Sequence, residues 1–146
     1  GYEWRDRPYD GVLAYAHTKR AQIVLSGLFA ARLAGTAITV NAMHPGWAAT
    51  PGVRTSLPRF WERMAGRLRT PDQGADTIVW LAASPAAAGV TGRFWFDRRP
   101  RRAHYLPTTR ESASDRQALW DLCCRLTGVD DRALEATIVE TGEEWP

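Results

Sequence analysis

The feature that most limits what this chain can fold into is an unbroken helical run from about Val12 to Ala34, followed at once by a turn and an apolar strand. On a helical wheel Leu13, Ala16, Val24, Gly27, Leu28 and Ala31 share one side, and Leu25, Phe29 and Leu33 spread the apolar arc onto a second. A helix that is apolar on two sides needs two partners. One is expected to be a sheet, because Ala34-Gly35 turns the chain into Ala37 to Met43, a short and largely apolar run of the kind found where both faces of a parallel sheet are covered. The third side of the helix is polar and carries Tyr15, Lys19, Gln22 and Ser26.

Tyr15 and Lys19 are four residues apart, hence one helical turn, so both side chains reach the same small volume. A phenol beside an ammonium is a proton-transfer pair, since the cation favours the phenolate. Lys19 is also the only lysine in a chain whose other 18 basic side chains are arginine. A compact ammonium and a planar guanidinium make different contacts, so the use of lysine here has chemical content. Alone, a Tyr-x-x-x-Lys spacing is weak evidence, because so short a motif recurs by chance.

The order of parts around the pair adds to it. The run Ala37 to Met43 leads into His44-Pro45-Gly46-Trp47-Ala48-x-Thr50-Pro51-Gly52-Val53, a loop at the carboxyl end of an expected parallel strand, where open α/β sheets bind ligands. Helix with Tyr-x-x-x-Lys, then a strand ending in Pro-Gly, resembles the short-chain dehydrogenase/reductase family. Tyr9-Asp10-Gly11, Tyr15-Ala16-x-x-Lys19-Arg20 and the Met43 to Val53 stretch are most similar to its member-twelve-like branch. The resemblance covers roughly residues 9 to 110. It implies an α/β fold, the C-terminal part of a Rossmann-like doubly wound parallel sheet, with Tyr15 as general acid/base and Lys19 assisting it and holding a nicotinamide ribose. It implies NAD(P) as cofactor, of unknown preference, with Pro45 and Gly46 passing close to the nicotinamide and Thr50 hydrogen-bonding it. Trp47 either lies near the ring and roofs the substrate or packs as a surface aromatic. The partners implied are a small carbonyl or alcohol substrate and a second copy of the chain, joined through the Tyr15/Lys19 helix and the helix after it.

The rest of the chain reads as scaffold. Residues 1 to 10 form a loop, and Asp10 caps the first helix. Leu57, Phe60, Trp61, Met64 and Leu68 have amphipathic spacing for a helix over Ser56 to Leu68, which either clamps an apolar substrate or packs on the domain. Thr70-Pro71-Asp72-Gln73 is a capping-box helix start, with the helix running to about Ser84 and burying Ala75, Ile78, Val79 and Ala82. Phe94-Trp95-Phe96 is the last short strand, followed by the Arg98 to Arg102 run, read as a solvated loop. Ser112 or Ser114 caps a last helix ending near Thr127, with Leu119, Leu122, Cys123 and Leu126 on one face, and Leu134, Ile138 and Val139 add a turn beyond it.

One partial domain is therefore expected over residues 1–146: a loop over 1–10, the helix, loop and strands over 11–110, and a helix and tail over 111–146. No Gly-x-x-x-Gly-x-Gly or Gly-x-Gly-x-x-Gly occurs to hold a pyrophosphate, and no serine matches the family's substrate-orienting serine. The glycine-rich N-terminal half of the fold is thus absent from these residues. The functional expectation is the catalytic half of a hydride-transferring oxidoreductase; the alternative is a non-catalytic remnant that dimerises or binds a partner.

Other classes receive little support. Net charge is +3, mild for a nucleic-acid binder, and no recognised binding fold accompanies the arginines. No tract is long enough to span a bilayer and no leader is visible, so a cytoplasmic protein is expected. Adjacent Cys123 and Cys124 suit reduced helix residues better than a disulfide framework. His17, His44 and His104 share no metal-ligand spacing, have no carboxylate or cysteine near them in sequence, and are read as ordinary polar residues.

Overall fold

The computed structural model of the protein describes residues 8–130. Helix α1 spans Gly11–Arg32, and Asp10 starts it as expected: its carboxylate accepts hydrogen bonds from the Val12 and Leu13 amides at 2.9 and 3.0 Å. The helix stops at Arg32, short of Ala34, and the Leu33 amide donates back to the Phe29 carbonyl. Gly35 then turns the chain at φ +90°, which a residue with a Cβ would resist.

Strand β1 (Ala42–Met43) pairs in parallel with β2 (Phe94–Phe96), Ala42 opposite Phe94 and Met43 opposite Trp95. The expected strand over Ala37 to Met43 is mostly extended chain; hydrogen bonds from Val40 to His44 against residues 91–95 hold its second half. Asn41 secures this register with its side chain, donating to the Val90 carbonyl and accepting from the Arg93 amide and the Trp95 indole. A third strand, β3 (Arg99–Arg101), pairs antiparallel with β2. It corrects two expectations, a sheet with two strands here and a solvated Arg98 to Arg102 loop. The hairpin turn is Asp97-Arg98, both at positive φ (52° and 55°), which is the geometry of a two-residue turn matched to strand twist.

Helices lie on both faces. Trp95 is buried and its ring lies 5.4 Å from that of Trp80 in α4 (Pro71–Ala83), while Phe94, pointing the other way, shares a cavity with Arg20, Val24 and Gly27 of α1. The core beside α1 joins Ala21, Val24 and Leu28 to Leu119 and Trp120 of α5 (Ala113–Thr127). The second apolar side of α1 thus finds its partner within the chain: Phe29 stands edge-on to Trp120 at 5.1 Å, and the Arg32 guanidinium lies 3.7 Å over the same indole. Ser112 caps α5 through a box with Asp115, and Gly128 ends it at φ +71°. Cys123 and Cys124 are half-buried against the core, whereas Leu126, expected inward, is exposed. Leu13 and Ala16 are also exposed, because burial of α1 begins only at Ala21, where α5 and the sheet reach it, and Ala31, beyond that point, is exposed beside buried Ala30.

Two helix expectations are corrected. Ser56 to Leu68 is not one helix but parts of two, α2 (Pro51–Ser56) and α3 (Pro58–Met64). Pro58 has no amide to donate and excludes helical backbone at Leu57, which adopts φ −134°, ψ 59°. In α4 the capping box of Thr70 and Gln73 forms as expected, but the buried residues are Gly74 and Thr77, and Ala75, Ile78, Val79 and Ala82 are exposed. The helix lays its narrow side on the loop after β1: a Cβ on Gly74 would stand 3.0 Å from that of Ala48. Trp4, Leu134, Ile138 and Val139 fall outside the described residues.

Candidate active site

Two groups of expected site residues form, and they are distinct. The first is the pair on α1. Lys19 Nζ lies 5.6 Å from the centroid of the Tyr15 ring, and both side chains are exposed, Tyr15 to 64%. The second is the loop after β1. Gly46 takes φ +76°, and its amide donates to His44 Nδ1 at 2.9 Å. Thr50 caps α2 by accepting from the Val53 amide at 3.3 Å, and its own hydroxyl hydrogen is left to donate elsewhere. Trp47 is half exposed and packs its ring 4.5 Å from Phe60 of α3. A cavity of about 720 Å³ beside the loop is lined by Gly46 and Trp47 and not by Tyr15 or Lys19.

What fixes the loop is Arg69, which the sequence reading passed over. Its backbone brackets the loop, the amide donating to the Trp47 carbonyl at 2.9 Å and the carbonyl accepting from the Ala49 amide at 2.8 Å. Its guanidinium donates to the Pro45 carbonyl at 3.3 Å and forks onto Asp97 at 2.5 and 2.9 Å, lying 4.8 Å over the Phe96 ring. The hydrogen bond from Arg69 holds the Asp97 carboxyl below its ordinary range. On the other side of the hairpin turn, Arg98 forks onto Asp76 of α4 and its amide donates to Thr77 Oγ1. The hydrogen bond from Arg98 likewise lowers Asp76. Gly46 is required twice over, by its φ and because a Cβ there would lie 2.6 Å from Arg69 Nε. The signal for this clamp in the sequence was slight, an arginine beside a capping threonine and an Asp-Arg pair after a strand.

A second unanticipated cluster ties α1 to the chain around residues 103–111. Arg20, next to Lys19, forms a two-pronged pair with Glu111 and donates to the Ala103 carbonyl at 2.8 Å. His104 Nε2 lies 2.5 Å from Arg20 Nη2, and Nδ1 lies 2.8 Å from the same Nη2 and 2.9 Å from the Thr109 carbonyl. Burial pushes the Glu111 carboxyl up, but the hydrogen bonds from Arg20 and the backbone and the neighbouring charges outweigh it and leave the group lowered. His104 therefore does have a carboxylate neighbour, with Glu111 Oε2 3.4 Å away. Among the described residues no group of three or more His, Cys, Asp or Glu is placed to hold a metal.

The loop fits the nicotinamide end of a dinucleotide. It lies at the carboxyl end of a parallel strand pair and offers a hydroxyl that can still donate at Thr50.

A helix with Tyr-x-x-x-Lys packed on one face of a sheet, and a Pro-Gly loop leaving a parallel strand, are parts of an α/β fold of the short-chain dehydrogenase/reductase type. The chain belongs to the short-chain dehydrogenase/reductase family: the family model described as enoyl-(acyl carrier protein) reductase matches residues 5–96. It is similar to dehydrogenase/reductase SDR family member 12 of Bos taurus, 50% identical over 107 residues, covering 73% of this chain and 33% of the relative. The protein of the same name from Homo sapiens is 49% identical over 108 residues, with the same coverage. Retinol dehydrogenase 14 of Homo sapiens is 31% identical over 130 residues, covering 85% of this chain and 38% of the relative. The chain thus spans about a third of the length of these relatives. No solved structure matches it. Members of the family generally use NAD(P). Among the described residues no helix is long and apolar enough to cross a membrane.

Proposed function

We propose that this chain is the catalytic-helix part of an NAD(P)-dependent oxidoreductase that interconverts a carbonyl and an alcohol. The observation that carries the reading is the solvent-facing pair, Lys19 Nζ 5.6 Å from the Tyr15 ring, on the helix that precedes the Pro45-Gly46 loop. Tyr15 donates its phenolic proton to the substrate oxygen in reduction and withdraws one from the alcohol in oxidation. The Lys19 ammonium stabilises the phenolate that results and holds the nicotinamide ribose. Pro45, Gly46, Trp47 and Thr50 hold the nicotinamide end, with Arg69 positioning them. When bound, the nicotinamide supplies or accepts the hydride. In this reading the glycine-rich turn for the pyrophosphate and the serine that orients the substrate come from outside the 146 residues. Two copies associate through the part of α1 that α5 leaves exposed, which includes Val12 and Leu13, and the helix after it.

The test is calorimetric titration of the protein with NADPH and NADH. Saturable binding that Thr50→Val weakens about tenfold, the effect of roughly one lost hydrogen bond to a bound group, is expected. Saturable binding that Thr50→Val leaves unchanged would overturn the assignment of the loop, and folded protein that binds neither nucleotide would mean that Tyr15 and Lys19 are parts of a site whose other half lies elsewhere.

A further inference from the structure

The cavity beside the Pro45 to Thr50 loop has walls of two kinds. Trp47, Phe94, Phe96 and Tyr105 give it aromatic surface, and Arg67 and Arg101 bring two guanidinium groups to its edge. Its volume of about 720 Å³ lies within the roughly 300–1,000 Å³ usual for small-molecule sites. The charges are not balanced within it. Arg69, a third arginine at the cavity, is committed to Asp97, the carboxylate of the adjoining turn. No side-chain hydrogen bond or ion pair joins Arg67 or Arg101 to a carboxylate among the described residues, and both are exposed. Arg101 stands directly across the ladder from Phe94, so a cation and an aromatic ring project from neighbouring strands into one space.

We infer that the site takes a substrate with an apolar or aromatic body and a terminal anion, a carboxylate or a phosphate, the body against Trp47, Phe94, Phe96 and Tyr105 and the anion between Arg67 and Arg101. This assignment rests on the oxidoreductase reading for calling the occupant a substrate, but the binding chemistry stands on the cavity itself. A purely apolar substrate would leave the Arg67 guanidinium to water alone and Arg101 with only the more distant charge of Asp97, and a purely polar one would leave Trp47, Phe94 and Phe96 uncovered. An arginine fork matches the planar, two-oxygen geometry of a carboxylate, which is how the pair gives orientation as well as affinity.

The experiment is calorimetric titration of the protein with 4-phenylbutanoate, with the neutral isostere 4-phenylbutanol, and with inorganic phosphate. The acid is expected to bind at least about tenfold more tightly than the alcohol, the worth of one charge-assisted contact, and to lose that advantage as salt is raised. Arg67→Gln with Arg101→Gln is expected to bring acid and alcohol to equal affinity while leaving the alcohol unchanged. The single Arg101→Gln variant, at an exposed position, provides the check should the double variant fold poorly. Equal binding of acid and alcohol by the parent, binding of neither, a preference that survives both substitutions, or phosphate alone binding as tightly as the acid would each overturn the inference. None of these titrations requires nicotinamide or turnover, so they separate this assignment from the fate of Tyr15 and Lys19 as catalytic groups.

Discussion

The two halves of the candidate site are held in opposite ways. Tyr15 and Lys19 stand on an exposed stretch of α1, just before its burial begins at Ala21, with each other as neighbours. The Pro45 to Thr50 loop is instead fixed from several directions, by the Arg69 backbone, the fork onto Asp97, a glycine that only fits without a Cβ, and Gly74 of α4 beneath Ala48. The difference teaches where each group gets its precision. A helix supplies its own geometry, so a pair at one-turn spacing needs only that the helix be seated. A loop has no such internal frame and must borrow one from distant elements.

Substitutions that strike one half and spare the other test that contrast. The largest effect is expected from Trp120→Ala. Trp120 is 3% exposed and packs on Phe29 and Arg32, so its loss removes the seat of α1 and costs about 3–5 kcal/mol by denaturant unfolding. Gly46→Ala strikes the loop alone. A residue forced to positive φ against Arg69 costs about 1–3 kcal/mol, and nucleotide affinity should fall while the helicity measured by circular dichroism holds.

The smallest effect is in acid. Asp97 and Asp76 are both lowered by their arginines, so their contribution to stability is present above the ordinary carboxylate pKa near 3.8 and is lost as pH falls through their lower folded values. A thermal melting series from neutral pH to below that range should show an acid loss that Asp97→Asn reduces. An unchanged series would remove the ion pair from the account of the loop. Both pairs are exposed, so their weight falls on local geometry rather than on global stability.

Much of the local structure was written in adjacent residues. Asp10, the Thr70 to Gln73 box, and Ser112 with Gly128 mark three helices because a cap acts within a few positions of itself. The chemical pair was legible for the same reason. The hairpin at Asp97-Arg98 was not, because neither residue is the glycine or asparagine that usually marks such a turn, and what holds it lies 28 residues away at Arg69 and 22 away at Asp76. The error at α4 has a different cause. Apolar spacing predicted that Ile78 and Val79 face inward, yet the helix docks through Gly74 and Thr77, because closeness to the loop and a hydrogen bond to the turn decide its orientation.

The central claim is that Tyr15 moves the proton. Its most direct test is turnover by the Tyr15→Phe variant of the protein, with NADPH and a carbonyl substrate that the parent reduces. The account predicts a fall of about 10²–10⁴-fold, with unfolding free energy within about 0.5 kcal/mol of the parent because the hydroxyl is exposed. Undiminished turnover by a folded Tyr15→Phe protein would contradict it.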